Sequence, residues 1–588
     1  MNDEGTETKR ETERAASDLP SPSTTLPMKT ALGNYASAVA AALAEAASAG
    51  VVERIWSRDA SLWKAEESHQ KIIRNSLGWL TVPNEMLGVA DELKHFAAEI
   101  SKSGFQQVMV CGMGGSSLCP EVLRQTFGRQ KDFPELLVLD STDPDTINSF
   151  RQRIDVSKCL FIIASKSGTT TEPIAFHRFW YNEVAQTTDA PGQAFITITD
   201  PGSEMADTAA AEGFRRIFLN QSDIGGRYSA LSYFGMVPAA LMGLEVAQLL
   251  RHTQLMAEAC GAGAQVSQNP AAVLGAVMAE CASAGRDKLT IVTDQKLATL
   301  GLWIEQLIAE STGKEGKGIV PIVGESLGAA SAYGNDRLFV SISVGPIAED
   351  TKAKLKSLEV AGHPVVYRSL VDLYELGAEF FLWEMATAFA GWRLGINPFD
   401  QPNVQESKDA TKALLEEYKR AGKLQEQRLL ANDGQLTVFG ENVGAPVNSV
   451  SAALHSFLAT IRAGDYVPLL AYIEETAETE AKLQAIREQV RAMTNCATTV
   501  GYGPRFLHST GQLHKGGPDS GVFIQITAPD KVDFPVPEAP YSFSILKDAQ
   551  ALGDFQSLQK HGRRAIRVDL GGDVLSGLSK LQELIEGI

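Results

Sequence analysis

Leu160-Phe161-Ile162-Ile163-Ala164-Ser165-Lys166-Ser167-Gly168-Thr169-Thr170-Thr171-Glu172 decides how the chain is to be read. The first five residues are an unbroken apolar run, the pattern of a buried strand. Pro173-Ile174-Ala175-Phe176 then opens a helix. A strand, a hydroxyl-rich turn and a helix start make a seat for a phosphate, because free backbone N–H groups and the positive end of the helix dipole converge there. Ser165, Ser167, Thr169, Thr170 and Thr171 can add donors. Being neutral, they hold a phosphate monoester without locking it in place. A helix cap, the plainer reading, needs only one such hydroxyl.

Outward from this stretch, apolar runs at 108–111, 135–139, 160–164 and 194–199 alternate with longer amphipathic segments. That alternation predicts a parallel sheet with helices on both faces. Residues 29–100 read as helical, with Ala-rich spacing near 35–50 and Leu/Phe spacing near 85–100. A helical stretch over 229–282 is broken near Gly261-Ala262-Gly263. A second α/β run follows, with strands at 289–292, 338–344 and 364–367, a long apolar helix over 372–392 and a charged helix over 409–429. A third α/β region starts near 433, with strands at 466–472, 497–500, 522–527 and 565–568. Residues 1–28 are polar and lack the apolar core of a signal peptide, so they read as a disordered leader. The expected divisions are therefore 1–28, 29–260, 261–430 and 431–588.

The chain has 588 residues, 44% hydrophobic and 21% charged, which fits a globular protein of several domains. A net charge of −18 argues against nucleic acid as a partner. No apolar run reaches the roughly 20 residues of a membrane span. The six cysteines form no CxxC pair and no Cys/His cluster, which suits free thiols in a reducing cytosol.

Several further motifs carry chemistry. Gly112-Met113-Gly114-Gly115-Ser116-Ser117 follows a strand, and its glycines let backbone N–H groups approach an anion. The spacing is not that of a dinucleotide loop. Beside the 165–172 turn it would sit at the carboxyl end of the same sheet, where ligands bind in such folds. Gly225-Gly226-Arg227-Tyr228-Ser229 offers a cation for an oxyanion, or a surface arginine in a helix-start turn. Glu305 and Glu310 lie in Trp303-Ile304-Glu305-Gln306-Leu307-Ile308-Ala309-Glu310-Ser311-Thr312-Gly313-Lys314. Glu310, near apolar neighbours at the end of this helix, suits a proton-transfer base or is a surface glutamate. Asn397-Pro398-Phe399-Asp400-Gln401-Pro402 is a rigid turn feeding a helix that carries Lys408; on residue chemistry alone Lys408 is an exposed lysine. Leu507-His508-Ser509-Thr510-Gly511-Gln512-Leu513-His514 holds two of the nine histidines. They suit acid–base work or a structural turn, and the sequence offers no third ligand for a metal.

Taken together and in this order, the 112–116, 165–172, 225–229, 310–314 and 397–408 motifs make the chain resemble the phosphoglucose isomerase family. Within that family it is most similar to the isomerase half of fused transaldolase–phosphoglucose isomerase proteins, although no transaldolase barrel precedes the motifs here. The resemblance implies an α/β fold of two sugar-isomerase domains, each a doubly wound parallel sheet in an αβα sandwich, here with a third C-terminal α/β block. It implies interconversion of glucose 6-phosphate and fructose 6-phosphate through a cis-enediol(ate). Gly115, Ser116, Ser165, Lys166, Ser167 and Thr170 would hold the sugar phosphate, with Gln401 near the substrate. Arg227 would face the enediolate oxygens, Glu310 would move the proton between C2 and C1, and Lys408 would serve the ring-oxygen end. No cofactor, metal, nucleic acid or membrane is implied. The location would be cytoplasmic and the assembly a homodimer, unless the C-terminal block replaces the partner contacts.

One departure stands out. The family's ring-opening histidine falls between the glutamate and the lysine, where Gly324-Glu325-Ser326-Leu327-Gly328-Ala329-Ala330 has none. His363 is the single histidine between Glu310 and Lys408. The motif around His508 looks like the displaced equivalent, which predicts that His508 reaches the site from the third block; His514 is its rival. A non-catalytic sugar-phosphate sensor and the isomerase part of a longer bifunctional enzyme are the competing expectations.

Overall fold

The computed structural model describes residues 28–425, 427–441 and 448–587. The expected leader lies outside the described residues except for Met28. That residue opens the first strand, β1 (Met28–Ala31). Here the structure departs from the helical expectation for 29–100, because β1 pairs antiparallel with an edge of the second sheet. Four residues are too few to show a period, and their conformation is set by the open strand edge they cover.

The first sheet contains β2 (Gln107–Cys111), β3 (Glu135–Leu139), β4 (Cys159–Ala164), β5 (Phe195–Thr199) and β6 (Arg216–Leu219), in the order β3-β2-β4-β5-β6. All its pairings are parallel. The apolar run 160–164 lies in β4, buried at every position. Its pleat sends Leu160, Ile162 and Ala164 to one core and Cys159, Phe161 and Ile163 to another. A strand covered on both faces cannot alternate polar with apolar, which is why it reads as a continuous hydrophobic run. Each such large side chain, fully buried, contributes roughly 1.5–3 kcal/mol. β2 and β4 are neighbours, so the loops after them open side by side at one sheet edge.

The second sheet is built from β7 (Lys288–Thr293), β8 (Val320–Ile322), β9 (Arg337–Val344) and β10 (Val365–Leu370), in the order β1-β10-β9-β7-β8. The apolar helix expected over 372–392 spans Leu376–Leu394. The charged helix expected over 409–429 instead spans Pro402–Ala421. Pro402 takes its first position, where a missing N–H costs nothing, and Gly422 ends it in the left-handed region with φ 72°.

The third sheet holds β11 (Leu429–Asn432), β12 (Thr437–Gly440), β13 (Tyr466–Tyr472), β14 (Ala497–Tyr502), β15 (Val522–Thr527) and β16 (Arg564–Asp569), in the order β11-β12-β16-β15-β13-β14. It has its own core on one face, with Val467, Leu469, Ala471 and Ile524. Its other face packs Tyr466, Leu470 and Tyr472 on Ala309, Val320 and Ile322. The helix Phe543–Lys560 joins the blocks. Phe543, Leu546 and Ala549 pack into the core under β2 and β4, whereas Ala551, Phe555 and Leu558 pack against the third sheet. Lys547 on this helix is buried, and its ammonium pairs with Asp143, 3.1 Å away, and with Asp530. The third block is thus wedged against the carboxyl edge of the first sheet.

Candidate active site

Glycine brings the loops together. Gly114 has φ 54°, and a Cβ there would lie 2.7 Å from both the Gln306 amide nitrogen and the His508 carbonyl oxygen. A Cβ on Gly115 would lie 2.0 Å from the carbonyl oxygen of Gly226. The 112–117 loop therefore touches the 225–229 turn, the helix Leu300–Thr312 and the His508 segment at once. Gly115→Ala is expected to push the first two apart, since the obstructing atom is backbone. Overpacking of this kind typically costs about 1–3 kcal/mol. A lower melting temperature together with lower turnover is the expected outcome, and a variant that matches the parent in both would contradict the close approach.

The 165–172 loop lies beside it. Ser165 donates to Thr170 at 3.3 Å, and the Ser167 and Thr169 hydroxyls are 2.9 Å apart. Thr170 precedes the helix Thr171–Ala185 and makes no side-chain capping bond. The helix start is left with its N–H groups directed at the loop, as an anion seat requires. Lys166 is placed differently from its neighbours. Its ammonium pairs with Asp200 and donates to the Ser222 carbonyl at 2.8 Å. Ser116 is half-buried on the adjoining loop.

Arg227 is buried. Its guanidinium donates to the Ser311 hydroxyl at 2.7 Å, the Gln401 side-chain oxygen at 2.9 Å, and the Pro398 and Asp400 carbonyls at 2.6 and 3.0 Å. The turn 397–402 is further gripped by Lys314, whose ammonium reaches the Asn397 carbonyl at 2.8 Å and the Asp400 carboxylate at 2.7 Å. Burial and the nearby Arg227 charge pull the Lys314 pKa down to about 8, against the opposing pull of Asp400.

Glu310 sits in the last turn of the helix Leu300–Thr312 and is buried. One of its oxygens accepts from Gln306 Nε2 at 3.2 Å. The other stands 3.6 Å from Arg227 Nη1, too far for a hydrogen bond, so it is free to meet a substrate. The same Gln306 Nε2 donates to the His508 carbonyl at 2.6 Å. Burial pushes Glu305 up to about 8, against the opposing charges of Arg487 and Arg505.

His508 Nε2 lies 2.9 Å from Glu172 Oε1, at the end of the hydroxyl-rich loop. Burial opposes ionisation of Glu172, but the His508 imidazole and the Lys408 ammonium outweigh it and hold the carboxyl below the usual carboxylate range. Among the described residues, none bonds His508 Nδ1. Lys408, exposed on the helix Pro402–Ala421, lines a cleft of about 490 Å³ together with Thr169, Thr170, Glu172, His508 and Gln550. His514 is not in this cleft. It is buried between Phe506 and Phe523, and burial pushes its pKa well below the usual histidine range. His363 is bound by Arg286 at 2.9 Å in the core of the second sheet.

The histidine-free segment 324–330 is clamped by the third block. Arg491 donates to the Ser326 carbonyl at 2.6 Å, and Arg487 to the Val323 carbonyl at 2.9 Å. Glu325 pairs with Arg337 at 2.9 Å and accepts from Thr498 at 3.1 Å.

Gln306, Ser311, Lys314, Gln512 and Gln550 join the site although the sequence assigned none of them a role. Gln512 is fully buried and ties the histidine segment to the Gly313 carbonyl at 2.9 Å and to Asn403 at 2.8 Å. The Gln401-Pro402-Asn403 turn and the His508-Ser509-Thr510-Gly511-Gln512 motif were each visible, but only the fold shows that they bond each other.

Parallel-dominated α/β sheets thus carry a hydroxyl-rich loop and a His508–Glu172 pair into one cleft. The phosphoglucose isomerase family model matches residues 73–325. A glucose-6-phosphate isomerase of Cyanothece sp. is 28% identical over 438 residues, covering 63% of this chain and 80% of that protein. A probable glucose-6-phosphate isomerase of Methanococcus maripaludis is 25% identical over 378 residues, covering 58% and 84%. The solved structure of a hypothetical protein from Thermus thermophilus shares the fold with a TM-score of 0.56 at 22% identity, covering 66% of this chain and 99% of that one.

Proposed function

We propose that the cleft interconverts glucose 6-phosphate and fructose 6-phosphate through an enediol(ate), with Glu310 as the base and His508 as the ring-opening group. One observation carries this reading. A single amide, Gln306 Nε2, touches both the Glu310 carboxylate and the His508 backbone, and His508 in turn holds Glu172 on the hydroxyl-rich loop. One amide thus links base and histidine segment, and one carboxylate links the imidazole to the anion seat.

The chemistry has three demands. The cyclic sugar opens when a proton meets its ring oxygen; His508, with Nδ1 free and Nε2 tethered, supplies that site, and Lys408 adds positive charge beside it. A proton then leaves C2 and returns at C1; the untethered Glu310 oxygen takes it. Charge builds on the enediolate oxygens, and the Arg227 guanidinium, fixed by four hydrogen bonds, needs no reorganisation to meet it. Ser116, Ser165, Ser167, Thr170 and the Gly115 backbone bind the phosphate, and that remote binding fixes C1 and C2 against Glu310. Lys166 contributes to phosphate binding only by exchanging Asp200 for the anion. Gln401 orients Arg227 at the substrate end.

A sensor built from the same domains would need the anion seat but not a tethered imidazole facing a buried carboxylate. Among the described residues no helix is long and apolar enough to cross a membrane; a cytoplasmic location is part of the proposal. In this reading the third block supplies the histidine to the cleft. A coupled assay for glucose 6-phosphate formed from fructose 6-phosphate tests the reading. Turnover is expected, and phosphate-dependent binding of fructose 6-phosphate without turnover would favour the sensor.

A further inference from the structure

We propose that Gln550, on the helix Phe543–Lys560, is a positioning residue that fixes the carboxylate against which His508 is aligned. The inference rests on the isomerase reading above. Gln550 Nε2 donates to Glu172 Oε1 at 2.6 Å, the same oxygen that meets His508 Nε2 at 2.9 Å. The amide can face only one way. Its own oxygen accepts from the Thr142 hydroxyl at 2.7 Å, and Thr142 lies in the loop after β3. A flipped amide would set its oxygen against the carboxylate and leave the hydroxyl without an acceptor. Thr142 is fully buried and Gln550 is 2% exposed, so water does not replace a lost partner cheaply.

The arrangement runs from the first sheet (Thr142) to the third block (Gln550), back to the anion loop (Glu172) and again to the third block (His508). Glu172 has a flexible side chain. With one oxygen held by Gln550 it presents a fixed acceptor, and the imidazole is held in one orientation with Nε2 on that acceptor. Without Gln550, Glu172 remains buried with the imidazole as its side-chain hydrogen-bond partner and can swing with it. Gln550 touches no substrate in this scheme, and its effect passes entirely through His508.

That dependence supplies the test. In the full chain, Gln550→Met keeps length and bulk and removes the donor. Its kcat is expected to fall by roughly tenfold or more, short of the roughly 10²–10⁴-fold a positioned acid–base group contributes. KM for fructose 6-phosphate should stay within about threefold, the pattern of a lost transition-state contribution. Anomerisation of the cyclic sugar should slow in step with kcat. In a His508→Ala background the same change should have no further effect, because residues acting through one group are not additive. Thr142→Val, which frees the amide to turn, should give a smaller loss in the same direction and covers the case in which Gln550→Met does not fold. Parent-like kcat in both folded variants, or a full multiplicative loss in the His508→Ala background, would overturn the proposal while leaving the isomerase reading intact. A parent chain without isomerase turnover would remove that reading and this inference with it.

Discussion

Glu310→Gln is expected to bind fructose 6-phosphate about as tightly as the parent while turnover falls by roughly 10²–10⁴-fold, the usual contribution of a positioned general base. The geometry separates the two effects. The anion seat, with Ser165, Ser167 and Thr170, does not depend on Glu310. Gln306 can still hydrogen bond the glutamine oxygen as it does the carboxylate, at 3.2 Å in the parent, so the helix end has no reason to move. What is lost is the free oxygen 3.6 Å from Arg227, the only part of the side chain assigned to chemistry. Single-turnover kinetics and a binding isotherm read the two quantities apart. Parent-like turnover would remove Glu310 from the mechanism.

His508→Ala is the second large effect. Turnover of the cyclic sugar should fall by a comparable roughly 10²–10⁴-fold, with anomerisation lost alongside. His514→Ala should leave the rate near the parent's and lower the melting temperature instead, because it empties a buried site between Phe506 and Phe523. The reverse ranking would reassign the ring-opening role. The two inactive chains also test where the site is assembled. Glu310 and His508 are joined through Gln306 within one chain, so mixing Glu310→Gln with His508→Ala is expected to restore nothing. Recovery of activity on mixing would show that two chains share the cleft.

Much of this architecture was legible because its signals are local. The run 160–164 is apolar at every position since both faces of β4 are covered, and the same burial on both faces holds for β13 at 466–472. The glycines at 114 and 115 mark a loop approached by backbone from two sides. β1 and the three-residue β8 escaped notice because each is too short to show a period. The start of the helix Pro402–Ala421 was displaced because Gln401-Pro402 reads as a turn, when Pro402 in fact begins the helix. Within the site, Arg227, Glu310 and His508 carry charge or acid–base chemistry and stood out. Gln306, Gln512 and Gln550 are neutral amides, ordinary in any sequence, and matter only because chain folding sets them between groups far apart along the chain. Lys166 shows the opposite case, since no local pattern announces that Asp200 has claimed its ammonium.

The most direct test of the account is to run fructose 6-phosphate with the parent chain in D2O and read the glucose 6-phosphate formed by proton NMR. Proton transfer by Glu310 predicts deuterium at C2 of the product, and loss of both product and label in Glu310→Gln. Product formed with no solvent deuterium at C2, or product formed equally by the Glu310→Gln chain, would contradict it.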